Sequence, residues 1–299
     1  MSEHFSESEP PKSADEQGWT QVLTPQRPLL AIPWREMWNY RDLVWMLARR
    51  DIHSAYKQTV LGPLWFILLP LLVTFIFSFL FGRTKFGTSD IPHYLFYMSG
   101  FLIWNFFSET MTKASTVFTT NSALFSKVYF PRLCVPVAGV VTNLIPLAVQ
   151  FCLFLIGIAF YLIKQNVTGI NEHFAVNWRI VFTPLILLQA GLLGLGLGLT
   201  ITALTRRFRD LVMGIRVILQ MWMLCSAIAF PLTQINPEYR LPFLLNPIVP
   251  IVESFRYAFF TVSIIEPWQI AVSAVVSLGI LLVGIALFNH AEQTAMDTV

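Results

Sequence analysis

Six long, uncharged apolar stretches dominate the hydrophobic pattern of this chain, and short segments between them carry most of its charges. Each stretch can supply the roughly 20 residues that a helix needs to cross a bilayer. The stretches are 60–82, 91–108, 133–163, 180–205, 217–237 and 268–291. The third is longer than one upright span needs, and Pro136 and Pro146 indicate that its start lies outside the bilayer or that its helix is kinked or tilted. The pattern predicts an all-α membrane protein with six transmembrane helices.

A seventh uncharged stretch, 241–252, is too short to span a bilayer. It is also interrupted by three prolines, Pro242, Pro247 and Pro250. Proline removes a backbone donor and interrupts a helix, so a single long element is excluded here. We expect a pair of short re-entrant or interfacial helices before the last span.

A charged segment, 49–57, comes directly before the first apolar stretch. At 100° per residue, apolar side chains gather on one side of a helix through this region and polar side chains lie opposite. The apolar side holds Trp38, Val44, Trp45, Ala48, Ile52, Ala55 and Tyr56, and the polar side holds Arg50, His53, Ser54 and Lys57. We predict an amphipathic interfacial helix over 35–59, anchored by its tryptophans, with a cytosolic partner on the polar face as a further hypothesis. Its candidate residues are Arg49, Arg50, Asp51, Tyr56 and Lys57.

Composition agrees with a membrane protein. Of the 299 residues 55% are hydrophobic and only 12% are charged, whereas soluble domains carry about 25% charged residues. The segments that would share a side with the N-terminus hold 11 Lys and Arg, against six on the opposite side. The richer side is expected to be cytoplasmic, with both termini inside. Residues 1–34 are predicted to be a polar, disordered cytoplasmic tail and 292–299 a cytoplasmic C-terminal tail, which leaves 60–291 as the six-span domain.

The sequence shows no motif that would bind a nucleotide or a metal ion. The phosphate loop G-x-x-x-x-G-K-[ST] and the zinc motif H-E-x-x-H do not occur. Gly194 and Gly198 lie inside an apolar stretch and form a small-xxx-small pair, which favours close helix packing. The three cysteines are interpreted as small core residues. No metal, no catalytic residue and no nucleic-acid partner is expected.

Two further charged segments are predicted to face the cytoplasm. The segment 121–132 mixes bulky apolar side chains with two cations, so its apolar surface should be covered by protein or lipid headgroups. The segment 205–210 is a tight basic turn with Arg206, Arg207, Arg209 and Asp210. Positive-inside anchoring is the simpler interpretation of that turn.

The ordered motifs of this chain resemble those of the ABC-2 type permeases that export polysaccharides, over about 33–290. The nearest group in that family comprises the O-antigen, capsule and teichoic acid exporters. The motifs are Arg50-Asp51, Tyr56-Lys57-Gln58-Thr59, Leu61-Gly62-Pro63, Trp65 with Pro70, Ser99-Gly100, Trp104-Asn105-Phe106-Phe107, Lys127-Val128-Tyr129-Phe130-Pro131-Arg132, Phe208-Arg209-Asp210-Leu211, Asn246-Pro247 and Glu253-Ser254-Phe255-Arg256-Tyr257.

The resemblance implies a bacterial inner-membrane exporter of lipid-linked polysaccharide. Two copies of the permease would pair with two copies of a cytosolic ATPase, and that partner would bind ATP and Mg²⁺. A cytoplasmic coupling helix would then contact the ATPase through Asn121, Leu124, Phe125, Lys127, Val128, Tyr129, Phe130 and Arg132. Short re-entrant helices with an outer gate would include Asn246, Pro247, Glu253 and Arg256.

Five aromatic residues are candidates to guide sugar rings along a pathway between two permeases. They are Trp65, Tyr97, Trp104, Phe106 and Phe107. Ordinary lipid-facing or packed aromatics remain the alternative for each of them. Glu253 and Arg256 are three residues apart, so on a helix they form an ion pair, which either stabilises the fold or latches a gate.

Three other functions stay open from the residues alone. An ABC-2 exporter of drugs or smaller lipids would need a narrower path. A membrane-embedded glycan-processing enzyme would need acidic metal-binding residues in the cytoplasmic loops, which offer few. An ion-driven transporter would need charged residues deep in the spans, and the spans are nearly free of charge.

Overall fold

The computed structural model describes residues 34–57, 61–81, 91–125, 130–168, 178–205, 210–232, 235–260 and 265–296. Within these ranges the chain forms α-helices and two 3₁₀ turns, Gly62–Leu64 and Trp178–Phe182, and no strand. The α-helices are α1 (Trp34–Asn39), α2 (Arg41–Tyr56), α3 (Trp65–Phe81), α4 (His93–Ser115), α5 (Val117–Thr120), α6 (Ser122–Phe125), α7 (Cys134–Thr168), α8 (Thr183–Thr205), α9 (Leu211–Leu224), α10 (Pro237–Leu244), α11 (Ile248–Phe260) and α12 (Pro267–Met296). The predicted all-α class is confirmed.

Three helical segments in the described part of the chain are long and apolar enough to cross a membrane. They are Cys134–Gln165, Trp178–Thr205 and Pro267–Gln293. Each coincides with one of the long apolar stretches of the sequence. The apolar helices α3 and α9 are shorter, and α4 continues past Ser108 to Ser115, so it carries Glu109 and Lys113 in its last two turns. The predicted second stretch therefore ended too early, because it stopped at the first charge.

The fifth predicted stretch, 217–237, is wrong in its bounds. The helix in this region, α9, begins at Leu211 and ends at Leu224. A turn follows in which Ala227 has a positive φ of 51°. The carbonyl groups of Ala227 and Ile228 accept hydrogen bonds from the side chain of Arg256. A side chain that is distant in sequence thus supplies the donors that backbone N–H groups would supply in a continuous helix. Pro231, which lacks a backbone N–H, lies just beyond.

Two clusters of buried side chains hold the helices together. The main core is centred on α4 and α11 and receives side chains from α7, α8 and α9. Its aromatic centre includes Phe154, which lies edge-on to Phe259 at 5.0 Å between ring centroids. The second cluster, here called the small core, joins α2, α5, the beginning of α7, the end of α8 and the second half of α12. Its buried members are Leu47, Val117, Phe130, Leu133, Cys134, Val135, Ala138, Leu199, Leu281, Ile285 and Phe288.

The glycines of α8 allow two helices to approach it at once. A Cβ atom on Gly194 would lie 2.7 Å from the carbonyl oxygen of Phe107 in α4. On the other side of α8, a Cβ atom on Gly196 would lie 2.7 Å from Cα of Leu281 in α12, next to Gly284. Small residues at such contacts let backbones approach closely. A Cβ atom on Gly198 would lie 2.7 Å from the carbonyl oxygen of Met111 in α4, so the prediction that Gly194 and Gly198 serve helix packing is confirmed.

The interpretation of all three cysteines as core residues is wrong for two of them. Cys134 is buried in the small core, whereas Cys152 and Cys225 are exposed. Cys152 lies on the outward face of α7, where an apolar side chain is equally suited to contact with lipid. The sequence pattern does not distinguish a buried cysteine from an exposed one on a lipid-facing surface, because apolar residues flank both kinds.

Candidate functional site

A fully buried arginine ties three distant segments together at one end of the molecule. Arg256, in α11, is only 1% exposed. Its Nη1 donates to Oε1 of Glu253 at 2.8 Å and to the carbonyl oxygen of Ala227 at 2.9 Å. Its Nη2 donates to the carbonyl oxygen of Ile228 at 3.2 Å. The predicted pair of Glu253 and Arg256 therefore exists, but it lies in the core and also holds the turn after α9.

The remaining donors of Arg256 reach the first turns of α4. Nη2 donates to the carbonyl oxygen of Phe96 and Nε to Oγ of Ser99, each at 3.4 Å. The guanidinium carbon lies 3.6 Å from the centroid of the Phe96 ring, a cation–π distance. A Cβ atom on Gly100 would lie 2.8 Å from Nη2, so glycine leaves the space that the guanidinium fills. We call Arg256, Glu253, Phe96, Ser99 and the Ala227–Ile228 carbonyls the arginine node.

The node compensates two unfavourable features. A buried charge is costly unless it is paired and hydrogen-bonded, and Arg256 has a carboxylate together with four other acceptors. Ala227, with φ at 51°, occupies the left-handed region, which costs about 1–2 kcal/mol for a residue with a Cβ atom. The hydrogen bond from Arg256 to its carbonyl group holds it there. The node thus fixes the turn after α9 against α4 and α11.

Asn246, also predicted for the outer gate, attaches to the same turn. Nδ2 of Asn246 donates to the carbonyl oxygen of Cys225 at 3.2 Å and to Oγ of Ser226 at 3.1 Å. Oδ1 of Asn246 accepts from the backbone N–H of Ile248 at 3.3 Å, at the start of α11. Of the four predicted gate residues, Asn246 and Arg256 therefore bind the turn 225–230, Glu253 pairs with Arg256, and Pro247 follows Asn246 in the chain.

Pro247 extends this hydrogen-bonded assembly to two long helices. Its carbonyl oxygen accepts a hydrogen bond from Oγ of Ser273 in α12 at 2.9 Å. Oγ of Ser273 in turn accepts from Nε2 of Gln189 in α8 at 2.9 Å. Neither Gln189 nor Ser273 belongs to a charged or repeated pattern, so their role could not be predicted from the sequence.

Replacing Asn246 with alanine is expected to destabilise the protein by about 1–3 kcal/mol. The change removes three hydrogen bonds, each worth about 0.5–1.5 kcal/mol net. Thermal unfolding of the purified protein in detergent, followed by tryptophan fluorescence, measures the effect. Asn39→Ala, at an exposed position in α1, is the matched control. Equal melting temperatures for the two variants would show that Asn246 does not hold the turn.

A second polar contact lies outside the arginine node. Here Arg50 connects α2 to the segment after α4. Nη2 of Arg50 donates to Oδ1 of Asn121 at 3.1 Å. Asp51 accepts from Nε and Nη2 of the same guanidinium at 3.0 and 2.8 Å. Asn121 is 9% exposed and lies in the turn between α5 and α6. A member of the predicted interfacial helix therefore contacts a member of the predicted coupling segment.

The described part of the coupling segment packs against the small core. Phe125 contacts Phe130 at 5.8 Å and also Phe118 of the preceding α5 at 6.0 Å. Phe118 in turn stacks on Phe288 of α12 at 5.0 Å with 7° between the ring planes. Phe130 is buried and Leu124 partly buried. Helices of the same chain thus cover Leu124, Phe125 and Phe130, the apolar side chains of the segment that the structure describes.

Arg132 contacts both the coupling segment and α12. Its guanidinium lies 5.4 Å from the centroid of the Phe125 ring, and its Nε lies 3.6 Å from Oε1 of Glu292 in α12. Lys127, Val128 and Tyr129 lie outside the described residues. The described residues of the predicted coupling segment therefore pack against one another and against α12. The coupling role of the whole segment stays a prediction.

The face of α2 opposite the small core is open. Leu47 and Ala48 are buried where α2 packs on α7, whereas Trp38 and Trp45 are exposed. The polar face lines a surface cavity of about 540 Å³ whose lining residues are Arg50, His53, Ser54 and Lys57. The apolar side of the predicted interfacial helix therefore has two parts. One part packs on protein, and the other carries the two exposed tryptophans, Trp38 in α1 and Trp45 in α2. The polar face of α2 stays accessible.

Other predicted residues have simpler positions. Arg49 is exposed on α2, and Asp210 is exposed just before α9. The backbone of Tyr56 ends α2, but its side chain lies outside the described part, as do Arg206, Arg207 and Arg209. Of the described side chains, no three His, Cys, Asp or Glu residues lie together in a group that could hold a metal ion.

The predicted pathway aromatics divide between the core and the surface. Tyr97, Trp104, Phe106 and Phe107 are buried inside this chain, and Trp65 is 41% exposed. Trp104 and Phe107 both contact Trp222 of α9, at 6.3 and 5.4 Å between centroids. In this conformation four of the five pack helices together, and their role in a pathway stays a prediction.

The three long apolar helices in the described part of the chain indicate a helical membrane protein. Residues 42–260 match the family model described as "ABC-2 type transporter", which covers most of the chain. The chain belongs to the ABC-2 type transporter family.

Relatives within this family match the chain over nearly their whole length. An O-antigen export system permease protein RfbA from Myxococcus xanthus is 27% identical over 268 residues, 89% of this chain and 98% of the relative. A protein with the same description from Klebsiella pneumoniae is 25% identical over 83% of this chain and 91% of its own length. The polysialic acid transport protein KpsM of Escherichia coli is 26% identical over 83% of this chain and 93% of its own length.

Proposed function

We propose that this chain is the transmembrane permease subunit of an ATP-driven exporter that moves lipid-linked polysaccharide from the cytoplasm across the bacterial inner membrane. The observation that carries the proposal is the near full-length similarity to the Myxococcus xanthus O-antigen export permease. Similarity to a capsule-type relative, the polysialic acid transport protein, points to the same cargo class of long glycans. The substrate is accordingly O-antigen-like, capsular or teichoic acid.

Six spans, formed by α3, α4, α7, α8, α9 and α12, are the proposed topology. The excess of Lys and Arg on the side of α2 supports cytoplasmic termini. At about 1.5 Å per residue, the 35 residues of α7 measure about 52 Å, well beyond a hydrocarbon core of about 30 Å. The beginning of α7, where α2 packs, would then extend into the cytoplasm. The short helices α10 and α11 would be re-entrant at the outer side.

A homodimer with a pathway between the two copies is the proposed assembly. The exposed face of α9 carries Arg216 and Gln220 beside Met213 and Val217. Polar side chains at membrane depth usually face a bundle interior or a water-filled cavity. A second copy placed against α9 on a two-fold axis would give them such surroundings. The exposed Trp65 and the inner aromatics would contact sugar rings if the helices separate during transport.

A cytosolic ABC ATPase, in two copies, is the proposed energy source, and it would hold ATP and Mg²⁺. The coupling segment 121–132 and the polar face of α2 are the proposed docking surfaces. Two features support this. The coupling segment rests on the small core, which connects it to α7, α8 and α12, and the polar face of α2 lines an open cavity.

The docking proposal predicts that Lys127→Glu uncouples the two subunits. Reversing the charge at the centre of the coupling segment would weaken its contact with the ATPase, so we expect export to fall at least tenfold while the protein still inserts. Phe125→Asp and Tyr129→Ala should act in the same direction. Surface polysaccharide on cells that lack the chromosomal gene, normalised to the amount of permease in the membrane, measures export.

Lys164→Glu, on the side of the membrane assigned to the exterior, is the matched control and should export normally. If all three coupling variants export at the level of the unmodified protein, the coupling assignment is wrong. Deletion of the gene tests the cargo separately: cytoplasmic accumulation of long-chain glycan supports it. Normal surface glycan in the deletion strain would instead point to an exporter of smaller lipids or drugs.

A further inference from the structure

The contact between Arg50 and Asn121 joins the two surfaces proposed to receive the ATPase. Arg50 belongs to α2 and Asn121 to the turn between α5 and α6, 71 residues further along the chain. This hydrogen bond joins the polar surfaces of two elements whose apolar side chains already meet in the small core. The inference rests on the proposed function, because it concerns how that function transmits force.

Both side chains are held in the orientation that the contact needs. Asp51 accepts two hydrogen bonds from the guanidinium of Arg50, from Nε and Nη2. On the other side, Nδ2 of Asn121 donates to the carbonyl oxygen of Val117 at 3.3 Å, which leaves Oδ1 directed to Arg50. A planar guanidinium with several fixed donors keeps such a geometry better than a flexible ammonium.

The joined elements lead to the membrane helices by two routes. From the end of α2, residues 57–61 lead to the turn Gly62–Leu64 and so to α3. From the coupling segment, Phe125 contacts Phe118 of α5, and Phe118 stacks on Phe288 of α12. A displacement of the coupling segment would therefore reach α12 through Phe118, and it reaches α3 through α2 when the Arg50–Asn121 contact transmits it.

We propose that Arg50 is a positioning residue that makes α2 and the coupling segment one mechanical unit, so that a single movement of the ATPase displaces α3 and α12 together. Asp51 orients Arg50, and Asn121 is its acceptor. Loss of the contact would leave ATP hydrolysis intact and weaken its conversion into export.

The first test compares Arg50→Ala, Asn121→Ala and the double variant in the complete permease–ATPase complex. Each single change should lower export about tenfold at unchanged permease level, while ATP hydrolysis by the complex falls by less than twofold. The double variant should export no worse than either single variant, since both remove the same contact. Arg50→Lys should recover part of the export, because an ammonium still donates to Oδ1 of Asn121.

The second test fixes the contact covalently. Cysteines at positions 50 and 121, in a chain whose Cys134, Cys152 and Cys225 are replaced by alanine, are joined by a short bifunctional thiol-reactive cross-linker. The unlinked pair lacks the Arg50–Asn121 contact, so its export should be low. If the two elements move as one unit, the linked permease should export at least threefold more than the same pair without linker. Cysteines at positions 49 and 121 form the control pair, because Arg49 lies on a different side of α2.

Two results would overturn the inference. One is a linked permease that exports no better than the unlinked pair, which would show that joining α2 to the coupling segment does not restore transport. The other is undiminished export by both single alanine variants. Failure of the proposed function looks different: the unmodified complex itself would then export no polysaccharide, whatever the variants do.

Discussion

Arg256→Met is expected to destabilise the protein by about 3–5 kcal/mol, which is the usual cost of removing one partner of a buried ion pair. The change leaves the carboxylate of Glu253 buried without its cation, since the two groups lie 2.8 Å apart and Arg256 is fully enclosed. It also removes every donor that the arginine supplies to the carbonyl groups of Ala227, Ile228 and Phe96. We expect most of the protein to be degraded or aggregated in cells.

The measurement is the melting temperature in detergent together with the amount of folded protein in the membrane. The double variant Arg256→Met/Glu253→Gln separates charge from packing. It removes both charges, so it should recover part of the stability, although the carbonyl groups of the turn still lack donors. Arg41→Met, at an exposed position of α2, is the control and should be neutral. A stable Arg256→Met protein would mean that the arginine node does not hold the turn.

Gly284→Val is expected to separate α8 from α12 and to cost about 3 kcal/mol, the upper end for overpacking a close contact. A Cβ atom on Gly284 would lie against the carbonyl oxygen of Gly196, and a Cβ atom on Gly196 would lie 2.7 Å from the backbone nitrogen of Leu281. Both obstacles are backbone atoms, which no rotamer change can remove. Assembly of the helical bundle should therefore fail in most molecules.

Gly279→Val provides a matched control in the same helix. A Cβ atom at that position meets no atom within 4 Å, so the same substitution should be tolerated. Limited proteolysis of membranes and size-exclusion chromatography in detergent would report the two outcomes. Equal behaviour of the two variants would show that contact between α8 and α12 does not limit stability.

The long apolar helices could be predicted because their information is local. α8 and most of α7 and α12 each lie within one uncharged run, and the glycines of α8 lie at a spacing that indicates packing. The bounds of α9 could not be predicted this way. The helix ends at Leu224, and in the turn that follows Arg256 takes the carbonyl groups of Ala227 and Ile228. No pattern near Leu224 encodes those distant hydrogen bonds.

The same distinction applies to the candidate site. The pair of Glu253 and Arg256 follows from a spacing of three residues on one helix, so the sequence was sufficient to predict it. Burial of that pair depends on α4 and on the turn 225–230, which are distant in the chain. The contact between Arg50 and Asn121 spans 71 residues, and neither residue type indicates the other.

The arginine node also has a consequence for the order of biogenesis. Its acceptors at Phe96, Ser99, Ala227 and Ile228 are all synthesised before Arg256 itself, which follows Phe96 by 160 positions. A nascent chain that ends before α11 lacks the donors that hold Ala227 in its left-handed conformation. The turn 225–230 therefore gains its final hydrogen bonds only after α11 has left the ribosome, so a residue made late in synthesis holds together segments made early.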